Sequence, residues 1–356
     1  MTEMKSKEPK GRVIYYDILN IAACIAVITL HHNGIVHTYS NTLRWKLALV
    51  AEVFAYWAVP IFLMISGATL MNYRKKYDTK TFFIKRFKRA VVPFLCWSCI
   101  VLIWKIGTGQ LALNQYSVKT IIDALLNYKM ENVYWFFPLL FSIYLFMPVI
   151  SYLAEDRYRK CIKYIILVMF ICQSVMPPIL KLVEIQWNSN YGLPIHAYLI
   201  FVFLGYYLSK TDLTKHQRIM IYLAGICGIV IRYAGIYLLS TRDGEKNTLF
   251  FNYGYFPSVM LACAVFVLAK NINFKKIIEK LHIPYAIIQT MASCSLGIYL
   301  IHRIVMYYEL QYLGIHFQIT NETMLWRTVF ILVTYLISLA IVWIVKKIPV
   351  LKELVP

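Results

Sequence analysis

The fold is decided by residues 14–32, which read IYYDILNIAACIAVITLHH. This stretch is apolar almost throughout and approaches the ~20 residues that a helix needs to cross a bilayer. It nevertheless contains Asp17, Asn20, His31 and His32, side chains that are costly to place in a bilayer. No small-residue cleavage site follows it, so we expect a retained membrane span and not a signal peptide.

Nine further apolar stretches follow along the chain. We place the ten predicted spans at 13–36, 47–71, 90–106, 133–154, 161–180, 194–209, 217–239, 250–269, 288–312 and 324–345. Apolar residues make up 60% of the 356-residue chain and charged residues 15%, against roughly 25% charged residues in soluble domains. This composition excludes a soluble enzyme and a disordered chain. We predict an all-α, polytopic membrane protein, with one ten-helix domain at 13–346 between terminal tails at 1–12 and 347–356.

Basic residues are distributed unevenly between the predicted spans. Of the 37 Lys and Arg residues, 26 lie on the side of the two termini and 11 on the opposite side. Because Lys and Arg accumulate in cytoplasmic loops, we expect both termini in the cytoplasm. The net charge of +20 points to lipid head groups and a phosphate-bearing substrate as partners. No zinc-finger or basic-zipper pattern for nucleic acid occurs, and the eight Cys residues form no metal-type cluster.

The first span carries the best candidate for a catalytic base. At 100° per residue, Asp17, Asn20, Cys24 and His31 share one stripe of the helix, whereas His32 points about 100° away. An imidazole is the side chain whose ordinary pKa lies nearest neutral pH, so His31 could act as a general base. The alternatives are a histidine that only hydrogen-bonds a neighbouring helix and one that lies at the level of the outer head groups.

The second span and the segment after it hold further candidates. Glu52 lies at a depth similar to His31 and could orient an imidazole, or it could be a carboxylate in interfacial water. The string VPIFLMISG, residues 59–67, predicts a kink at Pro60 and close helix packing at Ser66 and Gly67. Arg86 and Arg89 share a helix face at the predicted cytoplasmic boundary, where guanidinium groups bind phosphates. Membrane anchoring by charge alone is the alternative for this pair.

Two later spans also contain polar or aromatic residues of interest. The fourth opens with ENVYWFFPLL, in which Trp135 is either an interfacial aromatic or part of a substrate channel. The ninth contains SLGIYLIHR, and its His302 and Arg303 lie within the predicted membrane. Arg303 needs a counter-charge or a wet cavity, and we expect Glu309 to contribute.

These strings together resemble the integral-membrane acyltransferase-3 family. The family pattern of an Asp followed by an apolar run ending in His matches YDILNIAACIAVITLHH, with Asp17 and His31 in register. The family's VPxFFxxSG resembles VPIFLMISG, its Arg-x-x-Arg matches Arg86 and Arg89, and GIYLIH lies in the ninth span. The resemblance covers residues 15–345 in the family's order. It departs at Asn20, where the family usually has Arg.

The resemblance implies an enzyme that O-acylates bacterial cell-envelope polysaccharides or their lipid-linked precursors. Acetyl-CoA or another acyl-CoA would be a co-substrate and not a bound cofactor. Its phosphates would meet Arg86 and Arg89, with Ser66 and Asn20 nearby. His31 would be the base or a transient acyl carrier, with Asp17 and Glu52 orienting it or the donor, and Trp135, His302 and Arg303 would line the substrate channel. The alternatives are a transporter of a polysaccharide precursor and a membrane scaffold.

Overall fold

The computed structural model describes residues 12–112 and 117–355, in which every regular element is helical. The helices are α1 Ile14–His32, α2 Leu43–Ala55, α3 Ala58–Leu70, α4 Thr79–Arg86, α5 Val92–Gly107, α6 Val118–Leu126, α7 Phe136–Ile150, α8 Arg159–Met169, α9 Met176–Leu182, α10 Leu199–Lys210, α11 Lys215–Asp243, α12 Phe256–Asn271, α13 Phe274–Lys280, α14 Tyr285–Phe317 and α15 Val329–Lys347. The predicted all-α membrane bundle is confirmed.

The predicted spans correspond to helical passes of unequal length. Within the described residues, nine continuous helical segments are long and apolar enough to cross a membrane. The predicted sixth span is α10, which has 12 residues and rises only about 18 Å. Most of its residues are buried, and it packs against α3, α8 and α12. Because protein rather than lipid surrounds it, this short helix can satisfy its ends within the bundle.

Prolines break the longer passes at defined places. Pro60 has no N–H for the carbonyl of Tyr56, and the second pass is accordingly divided there into α2 and α3. Pro93 likewise leaves the Arg89 carbonyl without its partner, and the wider π-helical turn Phe87–Val91 joins α4 to α5. The predicted kink at Pro60 is therefore seen, and Arg89 lies in the widened turn.

A close helix crossing joins α3, which carries the family-like string VPIFLMISG, to α10. Gly67 of α3 faces the backbone of Val202, and Gly205 of α10 faces the backbone of Met64. A Cβ atom at either glycine would overlap the main chain opposite, so the two backbones approach as small residues allow in membrane bundles. This crossing explains both glycines by packing alone.

The first helix runs through the middle of the bundle, where α1 packs against α2, α3, α14 and α15. Arg12, just before α1, and Lys346, near the end of α15, line the same cavity, so the described chain begins and ends at one face. The described part of the predicted tail at 347–356 packs against the bundle. The indole of Trp97 donates to the Leu354 carbonyl at 2.9 Å, and Val355 is buried.

Candidate functional site

A cavity of about 970 Å³ opens at the face where the described chain begins and ends. Seven cationic side chains line it: Arg12, Lys75, Lys76, Arg86, Arg89, Lys210 and Lys346. In the described part of the lining, Asp17 is the one carboxylate. We call this cavity the basic cavity. Its excess of positive charge suits a ligand that carries several negative charges.

The predicted arginine pair lies in the wall of the basic cavity. Arg86 rests over the rings of Phe82 and Tyr144, 5.8 and 5.7 Å from their centroids, and its buried Nε has no hydrogen-bond partner among the described residues. Arg89 is exposed in the π-helical turn, and no described carboxylate forms an ion pair with either guanidinium. No described carboxylate therefore neutralises either guanidinium, which leaves both charges for an anionic ligand.

Asp17 is engaged at the mouth of the basic cavity. Its two carboxylate oxygens accept hydrogen bonds of 2.8 Å from Arg12 Nη2 and Nε, and Oδ2 also accepts from the Tyr285 hydroxyl at 3.0 Å. The bond to Asp17 raises the pKa of Arg12, which lies outside the spans and stays charged. Fourteen residues separate Asp17 from His31, about 21 Å of helical rise. Asp17 thus cannot touch the His31 ring, although both lie on α1.

The basic cavity changes from polar to apolar as it deepens. Asn20, Ser66, Thr69 and Asn72 line its outer part, with the Ser66 hydroxyl donating to the Phe62 carbonyl at 2.9 Å. The remaining deep lining is mostly hydrocarbon and aromatic: Val27, Val59, Phe62, Phe136, Leu140 and Tyr299. Along α1 the lining extends as far as Val27, and His31 lies one helical turn, about 6 Å, beyond it.

His31 lies close to a second histidine. Its ring is half-buried at the end of α1, and its centroid is 5.1 Å from that of His302 on α14. Arg303 and His37 are further electrostatic neighbours of His31. Thus the structure brings together two of the predicted site residues, His31 and His302, about one helical turn beyond the lining of the basic cavity.

His32 has a different environment from His31. It is fully buried, with Nδ1 2.9 Å from the Trp326 carbonyl and Nε2 2.9 Å from the Thr334 hydroxyl. Thr334 in turn donates to Glu309 at 2.5 Å. Both nitrogens of His32 are therefore occupied, which fits a histidine that holds α1 against α15.

Glu52 lies near the His31 end of α1 but does not contact the imidazole through any described hydrogen bond. Its Oε2 accepts from Asn33 Nδ2 at 3.2 Å, and Asn33 also donates to the Ala48 carbonyl at 2.8 Å. Arg232 on α11 is a further electrostatic neighbour of Glu52. The carboxylate is 3% exposed, so it is buried in the protein and not in interfacial water.

The remaining predicted channel residues lie around this end of the bundle. Arg303 Nε is 3.7 Å from Glu131, which also pairs with Lys105 Nζ at 3.0 Å. The expected contribution of Glu309 to Arg303 is wrong, because Glu309 accepts from Thr334 on α15 instead. Trp135 stacks on Tyr253 with ring centroids 5.9 Å apart.

Sequence reasoning missed several residues of these two regions. Arg232 is 1% exposed on α11, contacts the face of Tyr56 and donates to Ser258, while its Nε and Nη2 have no described partner. An isolated Arg inside a predicted span was the signal that could have found it. Lys75, Lys76, Lys210 and Lys346 were counted only as topology signals, because nothing local marks a cation that faces a cavity.

Among residues 12–112 and 117–355, no three His, Cys, Asp or Glu side chains lie close enough to hold an ion. Beyond the spans, burial lowers the pKa of His37, whose Nδ1 lies 2.7 Å from Lys246 Nζ, and the nearby ammonium lowers that pKa further.

The site as a whole has a basic entrance and an apolar interior, and the imidazoles of His31 and His302 lie beyond that interior.

A family comparison covers almost the entire chain. The model of the acyltransferase domain of the acyltransferase-3 family matches residues 13–343. The chain belongs to the acyltransferase-3 family. It is accordingly a membrane acyltransferase, and the family match spans both the basic cavity and the His31–His302 pair. Comparison with curated proteins and with solved structures gives no match.

Proposed function

We propose that this membrane acyltransferase moves an acetyl or other short acyl group from acyl-CoA to a hydroxyl of a bacterial cell-envelope polysaccharide or its lipid-linked precursor. The observation that carries the proposal is the basic cavity, whose cationic mouth narrows to an apolar interior ending one turn from His31. The phosphates and the acyl thioester end of the donor would occupy those two parts in that order.

The donor would bind with its phosphates at the mouth of the basic cavity. Arg86 and Arg89 offer planar guanidinium forks that suit bidentate phosphate binding, and the neighbouring lysines add charge. Asp17 would hold Arg12 at the rim, and Ser66 and Asn20 would line the path of the thioester arm. The apolar lining beyond them would exclude water from the thioester.

His31 would activate the acceptor. Its imidazole takes the proton of the sugar hydroxyl while the oxygen attacks the thioester carbonyl, and the departing thiolate of CoA then receives that proton. In the relay variant, a ring nitrogen of His31 attacks the thioester carbonyl and expels the CoA thiolate, which takes up the imidazole proton. The hydroxyl then attacks the acyl-imidazole, and its proton passes to the released imidazole. Glu52 and Asn33 would support this end of α1, and Trp135, His302 and Arg303 would line the approach of the acceptor.

Acetyl content of the envelope tests this function directly. Cells with the gene, without it and with His31→Ala should be compared by mass spectrometry of their envelope glycans. We expect acetyl groups only with the wild-type gene. A precursor transporter, the alternative reading, would change where glycan accumulates without changing its acetylation, and that result would overturn the proposal.

We further propose that the basic cavity faces the cytoplasm of a bacterial plasma membrane, with both termini on that side. The support is the 26 of 37 basic residues on this side of the predicted spans. Reporter fusions in the connection between α5 and α7 should read extracytoplasmic. A cytoplasmic signal there would contradict the orientation and with it the cytoplasmic donor.

A further inference from the structure

His302 has one nitrogen in use and one without a partner. The residue is fully buried in α14, and its Nδ1 is 2.7 Å from the Tyr299 carbonyl of the same helix. A carbonyl oxygen only accepts hydrogen bonds, so Nδ1 must carry the hydrogen. In the neutral imidazole the lone pair is then on Nε2.

That lone pair has no donor in the described part of the chain. Nε2 of His302 is buried and no described N–H or O–H reaches it. Buried polar atoms almost always have a partner, so an orphaned acceptor beside a candidate site needs an explanation. The Tyr299 that binds Nδ1 also lines the basic cavity, which places His302 at the inner end of that cavity.

The other histidine is a candidate donor for this nitrogen. The ring centroids of His31 and His302 are 5.1 Å apart. An end-on N–H···N bond of about 2.9 Å, plus about 1.1 Å from each ring centre to its nitrogen, also amounts to about 5.1 Å. No described hydrogen bond holds the His31 ring, and the terminal torsion of histidine is soft, so a small rotation brings the two nitrogens into line.

We propose that His302 is a positioning residue for His31. Its Nε2 accepts the N–H of His31, which fixes the tautomer of His31 and directs the opposite, lone-pair nitrogen towards the acceptor hydroxyl. This inference rests on the proposed acyl transfer. During the reaction the hydroxyl proton passes to His31 and then to the CoA thiolate. The hydrogen on Nδ1 of His302 stays on that nitrogen and remains hydrogen-bonded to the Tyr299 carbonyl.

Two amide substitutions separate this role from a structural one. In His302→Gln, the side-chain oxygen occupies the region of Nε2 and can accept from His31. In His302→Asn, the amide N–H occupies the region of Nδ1, so the bond to Tyr299 survives and the acceptor for His31 is lost. His316, exposed on the same helix, provides the matched control through His316→Asn and His316→Gln.

The purified full chain in lipid nanodiscs would be assayed for CoA release from acetyl-CoA, and cells for glycan acetylation. We expect His302→Asn to lower kcat by roughly 10²–10⁴-fold with an unchanged KM for acetyl-CoA, as expected when a base loses its orienting partner. His302→Gln should recover most of that loss. The two His316 variants should match the wild type.

The reverse order, with His302→Asn active and His302→Gln impaired, would overturn the inference and leave the acyltransferase function intact. A wild-type protein that neither binds nor consumes acetyl-CoA would instead remove the proposed function and this role together. If both variants unfold, ¹⁵N NMR of the wild-type protein with labelled histidine can show which nitrogen of His302 carries the hydrogen. His302 protonated on Nε2, or an Nε2 signal insensitive to His31→Ala, would contradict the proposal.

Discussion

The basic cavity and the His31 end of the bundle differ in how their cationic side chains are paired. At the basic cavity, cations outnumber carboxylates, and no described acidic side chain pairs with Arg86 or Arg89. At the His31 end, Arg303 and Lys105 share Glu131. Unpaired cations at a mouth suit a ligand that brings its own negative charge, whereas internally paired groups keep a site rigid. The contrast suits the proposed function, in which the basic end would bind the donor and the His31 end would carry out the transfer.

The largest expected effect comes from His31. His31→Ala should reduce acyl transfer by 10²–10⁴-fold or more, because general-base catalysis typically contributes that much. Insertion and accumulation should not change, since no described hydrogen bond depends on the His31 ring. CoA release and glycan acetylation measure the effect, with His316→Ala as the control. An active His31→Ala protein would remove the catalytic assignment of this end.

His32 should show the opposite pattern, with its main effect on stability. His32→Ala removes two buried hydrogen bonds and leaves Thr334 without the imidazole, which should cost about 2–4 kcal/mol. Thermal unfolding in detergent should therefore occur at a lower temperature in His32→Ala than in His31→Ala. If the order of the two melting temperatures is reversed, the division of roles between these neighbours is wrong.

The arginine pair tests the basic end. A double variant with Arg86→Lys and Arg89→Lys keeps both positive charges and removes the planar guanidinium groups. Its KM for acetyl-CoA should therefore rise about 10–100-fold, with little change in topology. Lys80→Arg with Lys88→Arg is the matched control, because both residues lie in the same connection outside the cavity lining. Equal KM values in the two double variants would reduce Arg86 and Arg89 to membrane anchors.

The smallest predicted effect concerns the α3–α10 crossing, which belongs to neither end. Gly205→Ala should destabilise the fold by about 1–3 kcal/mol, because its Cβ would overlap the Met64 backbone. At Gly107, which has open space around the position of a Cβ, an Ala substitution should be nearly neutral. Denaturation of both variants measures the difference, and a stable Gly205→Ala would show that the crossing can separate at no cost.

The sequence by itself determined that the chain folds as an all-α membrane bundle and where its apolar helices lie. These features follow from local composition, because a segment in lipid must satisfy its own backbone. The kink at Pro60 and the shared helix face of Arg86 and Arg89 were likewise readable, since both depend on neighbours within one helical turn.

Only the tertiary structure decided which polar groups meet. Asp17 and His31 share a stripe of α1, yet Asp17 binds Arg12 and Tyr285, while His31 faces His302 from a helix 271 residues later in the chain. His32, adjacent to His31, is instead held by Trp326 and Thr334. Helical periodicity fixes the direction of a side chain around one helix axis, but packing between distant helices decides which side chains become its partners. That packing places Asp17 at the basic cavity and His31 beside His302.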